Sequence, residues 1–538
     1  MNQTVTKLAK MAEAEYTPLM RILFGLSSPS PPDTAAFNDL DFFEPALNDS
    51  QKEAIRFALA SPEAALIHGP PGTGKTHTLI ELIRQLIQRG LRVLVCGPSN
   101  MSVDNIVERL AVHKIPIVRL GHPARLLPAV LDHSLEVLTK TSDAAAIVQD
   151  VRREMDEKQA RIRKTRNAKE RRAIYSDLKE LRREYREREG KCVDNLVTGS
   201  KVVLATLHGA GGFQLRAKEF DVVVIDEASQ ALEAQCWIPL VTARKVVLAG
   251  DHLQLPPTVK SSNSKAPEDR ASQMKMLDEE LTRLALSDSE RKAAKCLSLE
   301  RTMFDRLLAL HGPSIKRLLT TQYRMHEKIM RFPSEELYGS ELIAADQVKS
   351  RLLRDLPYEV ADTEDTGEPL VFFDTQGGDF PEKSEDEAPG PRGLLVGESK
   401  SNEMEAAVVR LHVRNLVGAG VKAEDIAVVT PYNAQLAVLG PLLKEQYPGI
   451  ELGSVDGFQG REKEAVIVSL VRSNAQREVG FLGEKRRLNG RSFVPTLQRV
   501  AGVDARRSCR NPTLTRLGRR GRQPDAAPRQ QRPVITTN

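Results

Sequence analysis

Short apolar runs alternate with amphipathic helical patterns along most of this chain. Ala64 to His68 has the length and character of a buried strand. Thr76 to Gln88 follows, with Leu79, Leu82, Ile83 and Leu86 on one helical face, and Gly90 ends it. Arg92 to Cys96 predicts the next strand and Val103 to Leu110 the next helix. Val202 to Ala205, Val222 to Ile225 and Val246 to Ala249 are further apolar strands. Runs this short and this apolar suit a parallel sheet covered on both faces, because alternation is lost when neither face meets water. A second series follows, with strands at Leu370 to Phe373, Ile426 to Val429 and Ala465 to Leu470, and a helix at Met404 to Leu416. The expected class is α/β. No internal repeat of roughly 20–50 residues is visible.

Four stretches interrupt the pattern. Residues 1–46 read as a lead-in: Leu19 to Leu26 can form part of a helix, which Ser27-Ser28-Pro29-Ser30-Pro31-Pro32 must break. In residues 140–199, Ile147, Val151 and Met155 share one helical stripe, and Ile174, Leu178, Leu181 and Tyr185 share another. Almost everything between them is charged, which predicts two long helices with a narrow apolar seam, a stalk projecting from the sheet. Lys260 to Lys295 and Gly377 to Asn402 are polar insertions.

Composition changes this picture little. The chain has 538 residues, 41% hydrophobic and 28% charged, as in globular proteins. No apolar run approaches the roughly 18 residues of a membrane span, and Met1 to Ala12 has no signal-peptide pattern. The five cysteines are far apart, with no C-x-x-C pair, which excludes a disulfide framework and a four-cysteine zinc module. The net charge is +6. Residues 490–538 hold eleven arginines, no lysine, two aspartates and no glutamate, a net of +9 that leaves −3 for the rest. Overall basicity is therefore a property of the tail. Between Asp150 and Lys191 sixteen bases face ten acids, so the stalk is the one other basic region.

The strongest chemical signal is Gly69-Pro70-Pro71-Gly72-Thr73-Gly74-Lys75-Thr76, which matches G-x-x-x-x-G-K-[ST] between a strand and a helix. Glycines let backbone N–H groups turn inward on phosphates, and the helix N-terminus adds its positive end. Lys75 places an ammonium near the β and γ phosphates, and Thr76 offers a hydroxyl to Mg²⁺. Asp226 and Glu227 close the strand Val222 to Ile225. Asp226 suits Mg²⁺ binding through water, and Glu227 suits the general base that polarises the attacking water. ATP and Mg²⁺ are the expected ligands.

Five blocks stand in one order: the phosphate loop, Asp226-Glu227-Ala228-Ser229-Gln230, Gly250-Asp251-His252-Leu253-Gln254-Leu255-Pro256-Pro257, Gln322-Tyr323-Arg324-Met325, and Val455-Asp456-Gly457-Phe458-Gln459-Gly460-Arg461-Glu462. The chain thereby resembles a superfamily 1 helicase, over about residues 15 to 489. The nearest branch holds the nonsense-mediated-decay helicase and the immunoglobulin-mu-binding helicase. The resemblance implies two RecA-like P-loop NTPase domains with ATP in the cleft between them, a helical stalk insertion, and single-stranded DNA or RNA crossing both domains with 5′-to-3′ movement. It implies that Gln51 reads adenine, Gln254 senses the γ-phosphate, Tyr323 stacks near the base, Arg324 reaches the γ-phosphate and Glu462 contacts the ribose. For nucleic acid it points to Pro98, Ser99, Asn100 and Thr206, and on the second domain to Thr430, Pro431, Tyr432, Asn433, Val455 and Asp456. Hydroxyls, amides and backbone N–H groups suit phosphate and sugar contacts without base reading.

The expected organisation is a lead-in (1–46), a first RecA-like domain (47–139 and 200–312), the stalk (140–199), a second, incomplete RecA-like domain (313–489) and a tail (490–538). Members of the branch usually carry a small β-barrel before the phosphate loop, for which residues 1–46 leave no room. The match stops at Arg486-Arg487-Leu488-Asn489. Beyond it the expectation is a tail without regular structure, lacking the family's second ATP-contacting arginine and the closing strand of the second sheet. The loss of Lys and Glu there fits a shifted reading frame or a retained intron, which sequencing the transcript across Leu488 would test. The leading reading is an ATP-dependent helicase or translocase, monomeric, in nucleus or cytoplasm, with no membrane. The alternative is a hydrolysis-deficient nucleotide and nucleic-acid scaffold. A phosphate-loop kinase fits poorly, because no acceptor pocket is evident.

Overall fold

The computed structural model describes residues 1–33, 35–141, 143–165, 167–216, 218–257, 299–375, 378–384, 399–458, 462–474 and 495–502. Lys260 to Lys295 and most of Gly377 to Asn402 lie outside these residues. The chain forms two compact units. One comprises Met1–Pro70, Gly74–His252 and Pro256–Leu319, and the other Pro71–Thr73, Leu253–Leu255 and Thr320–Asn538.

The first unit is built on seven parallel strands. They are β1 (Ala64–His68), β2 (Val93–Gly97), β3 (Ile117–Leu120), β4 (Val202–Thr206), β5 (Val222–Ile225), β6 (Lys245–Gly250) and β7 (Lys316–Leu318). Their order is β3-β4-β2-β5-β6-β1-β7. Alternate residues of β1 serve two cores. Ala64 and Leu66 point into one with Val223, Val246 and Phe304, and Ala65 and Ile67 into the other with Leu79, Ile83 and Val247. Burial on both faces is what the unbroken apolar runs require. The lead-in joins the first core. Its helix Pro18–Phe24 is capped by Thr17 and ended by Gly25 in the left-handed region, and it buries Leu19, Met20 and Leu23.

Because β7 pairs with β1, the first unit runs to Leu319 rather than to residue 312. The expected boundary at 312/313 is thus corrected. Lys316–Leu318 has one apolar residue in three, and only the free edge of β1 makes it a strand.

The insertion is two long helices, Asp143–Lys164 and Ala168–Gly199. Val148, Val151, Leu178 and Leu181 are buried in the narrow seam between otherwise exposed faces. Among the described residues no helix is long and apolar enough to cross a membrane.

The second unit begins with two short parallel strands, β8 (Thr321–Gln322) and β9 (Ile343–Ala344). Its main sheet is parallel, in the order β10-β16-β15-β13-β14. The strands are β10 (Val371–Phe373), β13 (Ile426–Thr430), β14 (Glu451–Ser454), β15 (Lys463–Ser469) and β16 (Pro495–Gly502). Lys383–Ser384 (β11) and Lys400–Ser401 (β12) form a small antiparallel pair. β16 corrects the expectation that the tail holds no regular element and that the sheet lacks its closing strand. Val500 registers with both Val371 and Ile467, so backbone pairing on two sides organises a segment whose side-chain pattern has no period.

The helix Glu403–Gly418 contributes Glu405, a buried carboxylate. It accepts hydrogen bonds from the Leu470 and Val471 N–H groups at 2.7 and 2.8 Å and from the Ser469 hydroxyl at 3.1 Å. These bonds hold the chain leaving β15, where Val471 has a φ of 69°. Burial pushes the Glu405 carboxyl up to about 7, and the three donors only partly offset this. A carboxyl whose pKa is higher folded than unfolded stabilises the fold fully below its unfolded value, and that contribution is lost as the pH rises through the folded one. Stability is therefore expected to fall by on the order of 3 kcal/mol between about pH 4.5 and 7 from this group alone. Denaturant titrations across that window check this, and Glu405→Gln should flatten the slope.

Candidate nucleotide and nucleic-acid sites

The first unit gathers its candidate chemistry at the carboxyl ends of parallel strands, where an open α/β sheet places its crevice. β1 runs into the phosphate loop, β5 into Asp226 and Glu227, and β6 into Asp251. Gly72 and Gly74 have φ of 76° and 75°, the left-handed backbone that side chains disfavour. A Cβ on Gly74 would lie 2.4 Å from Gln51 Nε2, so the glycine also makes room for that side chain. Gln51 is buried, and its Oε1 accepts the Asn48 N–H at 3.0 Å in a capping box at the start of Asp49–Ala60.

Lys75 opens the helix Lys75–Gln88. Its ammonium lies 2.9 Å from Asp226 Oδ1 and pairs with Glu227 Oε1. Burial alone would lower the Lys75 pKa, but Asp226 and Glu227 together more than reverse this and hold it well above its ordinary value. For Glu227 the largest influence is burial, which raises its pKa; Lys75 opposes, Asp226 adds to the rise, and the net is upward. Glu227 has a left-handed φ of 52°, and its N–H donates to Asp226 Oδ1 at 2.9 Å. Gln230 Nε2 donates to Glu227 Oε2 at 2.6 Å.

This donor set fits a Mg²⁺–nucleoside triphosphate. Two left-handed glycines bare the backbone before a helix N-terminus, and the Lys75 ammonium stands in for a cation against two carboxylates. Thr76 is half-buried one residue on. Behind the loop, His68 Nε2 lies 2.8 Å from Asp251 Oδ1, and the Asp251 N–H donates to the Ser229 hydroxyl at 3.0 Å. His68, Asp251 and His252 offer ligand atoms within 4.8 Å of one another. The direct His68–Asp251 contact makes the group a strut between β1 and β6.

Two further strand ends carry the nucleic-acid candidates of this unit. Pro98 follows β2, and Ser99 caps the helix Asn100–Ala111, accepting the Ser102 N–H at 3.1 Å. Thr206 ends β4, and its hydroxyl accepts the Gly209 N–H at 3.1 Å. Both loops have well-formed local hydrogen bonding, as rigid backbone-binding turns need.

The sequence reading missed Arg119. It is fully buried on β3 and donates from Nε to Asp104 Oδ1 at 2.7 Å and from Nη2 to Asn100 Oδ1 at 3.0 Å. It thus ties the Asn100 side chain to the sheet. A lone arginine inside Ile117-Val118-Arg119-Leu120 was the available signal. Arg119→Met strands the Asp104 charge, and is expected to cost about 3–5 kcal/mol in denaturant titrations. Arg119→Met with Asp104→Leu should recover much of it.

In the second unit, Tyr323 is 39% exposed, while Arg324 pairs through Nη2 with Glu462 and is largely covered. Arg324 Nε is buried with no hydrogen-bond partner among the described residues. Gln254 is half-buried in the turn after Leu253. Thr430 ends β13 and is buried; Pro431 follows it, Tyr432 is 2% exposed, and Asn433 starts the helix Asn433–Lys444. Val455 is buried and Asp456 begins a 3₁₀ turn, Asp456–Phe458. Gln459, Gly460 and Arg461 lie outside the described residues. Thr430 and Tyr432 are thus both buried, Pro431 is half-buried and Asn433 is exposed.

A phosphate loop, an acidic pair and the ordered motifs on two parallel sheets define a P-loop NTPase of the superfamily 1 helicase class. AAA-domain models match residues 46–262 and residues 299–490. The chain is 50% identical over 457 residues to the DNA polymerase alpha-associated DNA helicase A of Schizosaccharomyces pombe, covering 85% of this chain and 63% of that protein. The protein of that name from Saccharomyces cerevisiae is 40% identical over 540 residues, covering 96% and 73%. The DNA-binding protein SMUBP-2 of Rattus norvegicus is 45% identical over 493 residues, covering 91% and 46%. The chain belongs to the superfamily 1 helicase branch that contains these proteins. It spans under two thirds of the S. pombe protein and about half of the rat one.

Proposed function

We propose that this chain is an ATP-dependent helicase or translocase that moves 5′ to 3′ on single-stranded nucleic acid, with DNA favoured by the names of its relatives. The observation that carries this reading is the Lys75–Asp226–Glu227 cluster beside the phosphate loop, on the same sheet edge as the Pro98–Asn100 and Thr206 loops. Chemistry and strand binding then share one rigid sheet. Bound Mg²⁺–ATP supplies the phosphoryl group and the metal charge. Lys75 and the backbone of Gly69 to Thr76 bind phosphate, Thr76 and Asp226 hold the metal, and Glu227 takes a proton from water. Gln51 orients the base, Gln254 reports phosphate state, and Tyr323, Arg324 and Glu462 serve base, γ-phosphate and ribose. Pro98, Ser99, Asn100, Thr206, Thr430, Pro431, Tyr432, Asn433, Val455 and Asp456 are the loop residues that meet the strand backbone, which gives binding without base reading. We read the protein as a monomer of the nucleus or cytoplasm.

The test is ATP hydrolysis by the purified chain alone and with single-stranded DNA or RNA, then unwinding of duplexes with a 5′ or a 3′ overhang. Turnover stimulated by a single strand, and unwinding only from a 5′ overhang, are expected. Nucleotide binding with no turnover under any condition would favour the scaffold reading instead.

A further inference from the structure

We propose that Gln230 is a positioning residue for Glu227: its amide holds Oε2, which leaves Oε1 as the oxygen that takes the proton from water. This rests on the reading of Glu227 as general base. Three observations carry it. Gln230 Nε2 lies 2.6 Å from Glu227 Oε2, and an ionised carboxylate only accepts, so the amide nitrogen must face it. The Gln230 N–H donates to the Glu227 carbonyl at 2.9 Å, so one residue fixes both ends of the glutamate. Glu227 also sits in a left-handed backbone conformation that its neighbours must maintain, at a φ of 52°.

The two oxygens of Glu227 have different partners. Oε1 pairs with the Lys75 ammonium and Oε2 with Gln230. Lys75 is also the residue assigned to phosphate, and when it turns to that task Oε1 is released. Gln230 has no such second task. It keeps the carboxylate plane from rotating and occupies Oε2 with a donor. In the proton transfer a water O–H bond breaks and the proton goes to Oε1; the water oxygen uses the freed electron pair to bond the γ-phosphorus, the bond from that phosphorus to the bridging oxygen breaks, and ADP leaves with its electron pair. A neutral donor suits this role, because a second cation would depress the basicity of both oxygens.

The test uses the full chain with Gln230→Met, which keeps the shape and removes the donor. With single-stranded DNA at saturation, kcat is expected to fall about 10- to 100-fold. KM for ATP should stay within about twofold, so that the loss falls on kcat alone. A change confined to packing would shift the melting temperature without that split between kcat and KM. If Gln230→Met does not fold, Gln230→Asn, with its amide one methylene short, reads the same split. Wild-type chain that turns over, with a variant whose kcat stays within twofold or whose KM rises as much as its kcat falls, overturns the proposal alone. Wild-type chain without turnover overturns the general-base reading and the proposal with it.

Discussion

Lys75→Ala is expected to reduce ATP hydrolysis by on the order of 10³-fold or more, and also to destabilise the protein without nucleotide. The first effect follows from removing the one ammonium that opens the phosphate-loop helix. The second follows from what Lys75 does at rest. It is the cation between Asp226 and Glu227, which are 6% and 30% exposed in their side chains. Without it two close carboxylates face each other in a poorly solvated site, at a cost of about 2–3 kcal/mol after allowing for the exposure of Glu227. The loss should be smaller at acid pH, where Glu227 can take a proton, and larger at pH 8. Denaturant titrations at the two pH values check this. Lys75→Ala with Glu227→Gln should regain part of the stability and none of the turnover. Equal stability of Lys75→Ala and wild type at pH 8 would show that the carboxylates do not need this partner.

Arg324→Ala is expected to lower kcat by about 10³- to 10⁵-fold, with a much smaller effect on ATP binding. An arginine matters most where negative charge grows during reaction. Arg324 is prepared for such work: Glu462 holds one end of its guanidinium, and Nε is buried without a hydrogen bond among the described residues. A buried, unmatched N–H is costly and finds compensation in an anionic acceptor. Arg324→Lys should recover little, since a point charge cannot replace a planar fork. Steady-state hydrolysis with single-stranded DNA, alongside equilibrium binding of a non-hydrolysable ATP analogue, separates the two effects. A loss of binding as large as the loss of turnover would count against the role.

Much of the fold was legible because its parallel strands are apolar on both faces. Ala64 to His68 and Val222 to Ile225 show as runs for this reason, and each leads directly into candidate site residues. The strands missed were those without a pattern. Lys316–Leu318 depends on the edge of β1, and Pro495–Gly502 on the two strands it lies between. In the site, the motif residues were recognisable by spacing, whereas their supports were not. Arg119 lies 15 residues from Asp104, and no local spacing announces that the two pair. Gln230 stands inside the Asp226–Gln230 motif, but the sequence does not say which glutamate oxygen it touches.

The place of β1 in its sheet has a consequence for biosynthesis. β1 ends at His68, yet its two neighbours, β6 and β7, end only at Gly250 and Leu318. At translation rates of about 5–20 residues per second, the wait is roughly 10–50 s. Until β6 is made both edges of β1 lack their final partners, and until β7 is made one edge still does, while β2 and β4 can already pair with each other. The strand that leads into the phosphate-loop motif is thus made well before it is enclosed. Nascent chains halted before residue 316 should present it to chaperones, and nucleotide has no finished loop to bind before the first unit is complete.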